Sequence, residues 1–129
     1  MPVSFTTPGI HHITLRASDL IRSKDFYQRI LGFQVILDTE DLFIFAAGST
    51  FIAFRQAETQ SPEDKFNPFN IGLDHLALAC EDEAELDRAT AALAAANIDN
   101  TGVKIDSTLG KKYVSFKDPD RINWEFYMV

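Results

Sequence analysis

At 129 residues, with 46% hydrophobic and 24% charged side chains, the chain can bury one core. It is too short for two ordinary independent domains and is not disordered in composition. A net charge of −7, with no Lys/Arg cluster to reverse it locally, argues against nucleic acid and anionic membranes as partners. No apolar run approaches the roughly 20 residues of a membrane span. The opening Met1-Pro2-Val3-Ser4-Phe5 lacks a signal-peptide pattern, and Cys80 stands alone, so no intrachain disulfide forms. These features point to the cytoplasm, with Cys80 as a buried structural thiol at a strand end.

In chain order, residues 9–20 (GIHHITLRASDL) predict a strand running into a helix over Leu20–Leu31. Ser18 or Asp19 is positioned to cap that helix, and Gly32 lies just past its end. Three β-rich stretches follow: Phe33–Leu37, Leu42–Ala46 and Thr50–Arg55. The stretch Ala57–Asn70, with two prolines and many polar residues, reads as a linker.

Residues 72–83 (GLDHLALACEDE) then repeat the opening pattern. The second helix is expected from about Glu83 to Ala96, capped by Asp82. The strands after it are Val103–Ile105, Lys112–Phe116 and Asn123–Met128. The repeat pairs Gly9 with Gly72, His12 with His75, Leu15 with Leu78 and Asp19 with Asp82. One domain is therefore expected, with a first module over about 9–56, a linker over about 57–70 and a second module over about 71–129. Each module is a strand, a helix and three strands, an α+β unit used twice. Two copies are too few for a solenoid.

Side chains alternate across a strand, so parity separates the faces. Ile13, Leu15 and Ala17 share one face with one another, as do Leu76, Leu78 and Cys80, and Trp124, Phe126 and Met128. These apolar faces suit packing against helices. The opposite faces carry His12, Thr14 and Arg16, then His75, Ala77 and Ala79, then Asn123, Glu125 and Tyr127. That second set looks like the lining of a partly polar cleft.

The run from His12 to Leu20, with Phe26-Tyr27 and Leu31-Gly32-Phe33, resembles the opening module of the vicinal oxygen chelate superfamily. Gly72-Leu73-Asp74-His75-Leu76-Ala77 resembles its second opening. Phe116-Lys117-Asp118-Pro119-Asp120 followed by Glu125 is similar to its closing signature. The superfamily includes glyoxalase I, extradiol dioxygenases, fosfomycin-resistance thiol transferases, methylmalonyl-CoA epimerase and bleomycin-binding proteins. The resemblance spans essentially the whole chain. It implies paired βαβββ modules in a curved mixed sheet around a metal-bearing cleft, and often a homodimer, in some relatives with modules exchanged between chains. Arg121 stands where the signature usually has Gly, which predicts a turn that is longer or differently shaped.

Set on that resemblance, His12, His75 and Glu125 are the expected ligands of one divalent ion (Fe²⁺, Zn²⁺, Mn²⁺, Ni²⁺ or Co²⁺), with coordination positions left for substrate. Glu125 could also shuttle a proton. A fourth ligand of the glyoxalase I kind is missing, because Ala53 occupies the position equivalent to Glu125. Thr14, Arg16, Arg55, Tyr113 and Tyr127 are candidate contacts to a small-molecule substrate. The implied chemistry is chelation of a substrate through adjacent oxygens, by a glyoxalase-like lyase or isomerase or an extradiol-type dioxygenase. The alternative is a metal-free drug-binding protein of the bleomycin-resistance type. His11, of opposite parity to His12, is expected in packing or at the surface.

Overall fold

A computed structural model describes residues 2–129. Strand β1 (His12–Ala17) leads into α1 (Leu20–Asp25), which continues as a π-helical turn over Phe26–Ile30. Strands β2 (Val35–Asp38), β3 (Leu42–Ala47) and β4 (Thr50–Gln56) complete the first module. The second repeats the order with β5 (Leu76–Cys80), α2 (Glu83–Ala95), β6 (Lys104–Ile105), β7 (Lys112–Lys117) and β8 (Asn123–Met128). The expected α+β architecture of two βαβββ modules is present.

Each module forms its own four-stranded mixed sheet, ordered β1-β4-β3-β2 and β5-β8-β7-β6. The first strand of each module pairs in parallel with the last, and the remaining pairs are antiparallel. β1 and β5 are therefore sheet edges. Both helices begin where the acidic cap was expected. The Asp19 carboxylate accepts from the Arg22 N–H, and that of Asp82 accepts from the Ala84 N–H. Gly9 and Gly72, one repeat apart, share an unusual φ of 134° and 132°. Only glycine adopts that backbone without strain, so both modules enter their first strand by the same bend.

The apolar faces of both sheets meet in one core. Tyr27 sits at its centre, with ring centroids 4.7 Å from Phe54, 5.4 Å from Phe45 and 5.6 Å from Trp124. Phe26 reaches Phe116 as Tyr27 reaches Phe54, so the π-helical turn after α1 packs against both sheets. Leu86 and Leu93 of α2 are buried in the same cluster. Cys80 is also buried there, as expected of a structural thiol.

A buried polar clasp joins the modules across this core. The Tyr27 hydroxyl donates to Asp118 Oδ2 (2.7 Å) and accepts from Trp124 Nε1 (2.8 Å). Asp118 Oδ1 accepts from the backbone N–H groups of Asp120 and Ile122. Asp120 in turn accepts from the Ser18 N–H and hydroxyl, and its Oδ1 lies 3.3 Å from Arg22 Nη2.

In the turn after Asp120, where the resemblance has Gly, Arg121 itself takes a left-handed φ of 70°. The carboxylate of Asp118 ties the turn from inside, and its backbone carbonyl accepts the Arg121 N–H at 2.9 Å. Those bonds over-determine a conformation that glycine would adopt more easily. No helix among the described residues is long and apolar enough to cross a membrane.

Candidate functional site

Because the apolar faces point into a shared core, the two polar faces look outward, away from one another. On the first, His12, Thr14 and Arg16 are all exposed along β1. The β1–β4 register sets Thr14 beside Ala53 and Arg16 beside Arg55. On the second, Ala77 of β5 lies beside Glu125 of β8, and Glu125 beside Ser115 of β7. Since Thr14 and Ala77 are repeat equivalents, this register makes Ala53 the counterpart of Glu125, as read from the sequence.

His75 and Glu125 come together, with His75 Nε2 3.4 Å from Glu125 Oε1. Burial holds the Glu125 carboxyl above its ordinary range, the neighbouring His75 charge opposes this, and Asp106 and Asp74 add to it. His12 does not join them within one chain. Its nearest polar partner is His11, with the two Nδ1 atoms 2.9 Å apart. Among the described residues no group of three or more His, Cys, Asp or Glu side chains is arranged to hold a metal ion. One chain thus carries two of the candidate residues together and the third on a separate face.

On the face of His75 and Glu125, Tyr127 and Tyr113 face each other across β8 and β7 with ring centroids 6.0 Å apart. The Tyr127 hydroxyl donates to Asp106 Oδ2 at 2.6 Å. Burial, reinforced by that carboxylate, pushes the Tyr127 phenol up to about 12. The same hydrogen bond, with further ones from the Thr108 and Leu109 N–H groups, holds Asp106 below its ordinary value. Arg16 Nη1 donates to the Gln56 carbonyl at 3.0 Å and lies 3.8 Å from Glu58, while Arg55 is exposed beside it.

Sequence reasoning missed Asp74 and Asp106. The repeat carried a signal for the first, since Asp74 is the counterpart of His11, each just before a candidate ligand. Nothing in the pattern pointed to Asp106, which lies beyond β6 and reaches Tyr127 only through the fold.

A cavity of about 620 Å³ lies between the modules, against Phe33, Leu78, Cys80 and Phe126, and none of the three candidate ligands lines it. A concavity of about 440 Å³ follows Ala77, Ala79 and Tyr127 on the polar face of the second sheet. None of the three candidate ligands lines the smaller one either, but it lies on the face that carries Glu125, whose register neighbour Ala77 it follows.

Residues 9–126 match the profile of the Glyoxalase/Bleomycin resistance protein/Dioxygenase superfamily, and the chain belongs to that family. It is 32% identical to YwkD, an uncharacterized protein of Bacillus subtilis, over 92% of this chain and 95% of that one. It is 25% identical to the metallothiol transferase FosB of Staphylococcus saprophyticus, over 92% of this chain and 76% of FosB. The crystal structure of a glyoxalase family protein from Enterococcus faecalis shares 28% identity and a TM-score of 0.74, covering 93% of this chain and 97% of that one.

Proposed function

We propose that this protein is a divalent-metal-dependent enzyme acting on a small, oxygen-rich molecule, with its site completed by two copies of the chain. His12 of one copy would join His75 and Glu125 of the other. The observation that carries this reading is the 3.4 Å approach of His75 Nε2 to Glu125 Oε1 on an open polar face. A repeat-related histidine waits on the equivalent face of the other module. Two imidazole nitrogens and a carboxylate oxygen are a donor set suited to Zn²⁺, Fe²⁺, Mn²⁺, Ni²⁺ or Co²⁺. Likeness to a metallothiol transferase supports the same choice.

When bound, such an ion supplies Lewis-acid stabilisation of charge developing on substrate oxygens. The chain's own groups supply the rest. Arg16 and Arg55, adjacent in register and both exposed, favour an anionic substrate group. Thr14 offers a hydroxyl between His12 and Arg16. Tyr127 has its hydroxyl proton committed to Asp106, so with Tyr113 it serves as a fixed aromatic wall. Glu125 can take up or release a proton at Oε1 or Oε2. Lyase, isomerase, dioxygenase and transferase reactions all use these parts.

The test is metal content of protein purified without chelators, followed by thermal unfolding of stripped protein with each ion. About one ion per chain is expected. An ion at 100 times its Kd should add about 2.7 kcal/mol, a rise on the order of 10 °C in Tm for a domain of this size. His75→Ala should abolish that rise while leaving the metal-free Tm nearly unchanged, because the side chain is exposed. No rise with any of the five ions would favour the metal-free binding protein instead.

A further inference from the structure

Each candidate histidine has one hydrogen-bonded ring nitrogen, Nδ1 in both, while His75 Nε2 also lies 3.4 Å from Glu125 Oε1. His75 Nδ1 lies 2.7 Å from Asp74 Oδ1. His12 Nδ1 lies 2.9 Å from His11 Nδ1. His11 and Asp74 are repeat counterparts, each the residue immediately before its histidine. Side chains of adjacent strand residues ordinarily diverge to opposite faces. Both pairs bend back at the strand entrance, where Gly9 and Gly72 impose the same unusual backbone.

We infer that His11 and Asp74 are positioning residues that hold His12 and His75 as Nδ1–H tautomers with Nε2 left bare. The inference rests on the metal-site reading above and deepens it. A neutral imidazole has one donor and one acceptor nitrogen, so donation from Nδ1, which in His75 makes the shorter contact, leaves the lone pair on Nε2. For His75 the acceptor is a carboxylate oxygen. For His12 the partner is Nδ1 of His11, and the inference makes His12 the donor, so that His11 carries its proton on Nε2. Nε2 of His75 is the atom that faces Glu125. Metal-binding imidazoles generally need this kind of outer hydrogen bond to fix ring orientation and tautomer. Here one chemical role is filled by an anion in one module and a neutral ring in the other.

The experiment uses the full, metal-free, ¹⁵N-labelled protein at a pH where its imidazoles are neutral. Two-bond ¹⁵N–¹H correlations should show His12 and His75 protonated at Nδ1 and His11 protonated at Nε2. Zn²⁺ affinity, measured by competition with a chromophoric chelator, should fall about 10–100-fold in Asp74→Ala and in His11→Ala. Asp74→Asn and His11→Asn keep an acceptor oxygen and should recover most of that loss. All four side-chain changes fall on residues exposed within the single chain, so the metal-free variants should keep the parent's fold, as circular dichroism would show.

Nε2–H tautomers at His12 and His75 would overturn the inference. So would alanine variants that bind Zn²⁺ as the parent does, with the metal site itself left standing. An Asp74→Asn variant as weak as Asp74→Ala would show that charge, not orientation, was at work, and would also overturn it. Failure of the unmodified protein to bind Zn²⁺ or any other tested ion would instead remove the site reading, and this inference with it.

Discussion

Asp118 shows how one carboxylate both organises and burdens the fold. It accepts hydrogen bonds from Tyr27, Asp120 and Ile122, each of which favours its ionised form. Burial outweighs them and pushes its pKa from an ordinary 3.8 up to about 6. Folding therefore favours the protonated acid. That contribution is fully present below about pH 3.8 and is lost as pH rises through about 6. The difference across this window is on the order of 3 kcal/mol. In Asp118→Asn the amide oxygen can still accept both backbone N–H groups, and the side chain stays neutral. The stability of the parent minus that of Asp118→Asn, from urea unfolding at pH 4 to 7, should fall as pH rises. A difference independent of pH would contradict this assignment.

Among the elements, parity along the strands was the strongest signal. A single rule put His12, His75 and Glu125 on faces opposite Ala17, Cys80 and Trp124, and the burial of the latter three agrees with it. The caps Asp19 and Asp82 were legible because an acidic residue before a helical run has a specific hydrogen-bonding task. The π-helical turn over Phe26–Ile30 was not, since it follows from seating Phe26 and Tyr27 between two sheets rather than from local propensity. Strand β2 begins at Val35 rather than Phe33, because Phe33 instead stacks on Phe45 at 4.6 Å.

Contacts such as Tyr127 with Asp106 join residues 21 positions apart, and no periodicity encodes them. The tie between the π-helical turn and the second module can be tested directly. Tyr27→Phe removes one hydroxyl and leaves Trp124 Nε1 without its acceptor and Asp118 Oδ2 without its donor. Two unsatisfied buried groups should cost about 1–3 kcal/mol each, less whatever relaxation recovers. Chemical denaturation should show a loss above 1 kcal/mol. A neutral substitution would mean that the clasp does not hold the modules together.

At the scale of the whole molecule, the common core turns the halves of the candidate site away from each other. Exposed apolar residues gather near the strand entrances that carry the candidate histidines: Phe5 and Ile10 before β1, Phe69 and Ile71 before β5. The first polar face bears Arg16 and Arg55 with Glu58 nearby, and the second bears Asp106 and Glu125, with Asp74 beside His75 and Lys104 and Lys111 near the tyrosines. Two copies related by a twofold axis would set unlike charges together, cover apolar surface and make two equivalent sites.

The most direct test mixes two defective chains. His12→Ala and His75→Ala should each lose stoichiometric metal as pure proteins. After unfolding and refolding together in equal amounts, half the dimers contain one chain of each kind, and each of these has one intact site. Metal content should recover to about a quarter of the parent's, by random pairing in a twofold dimer. No recovery, once mixed dimers are shown to have formed, would contradict a site shared between chains.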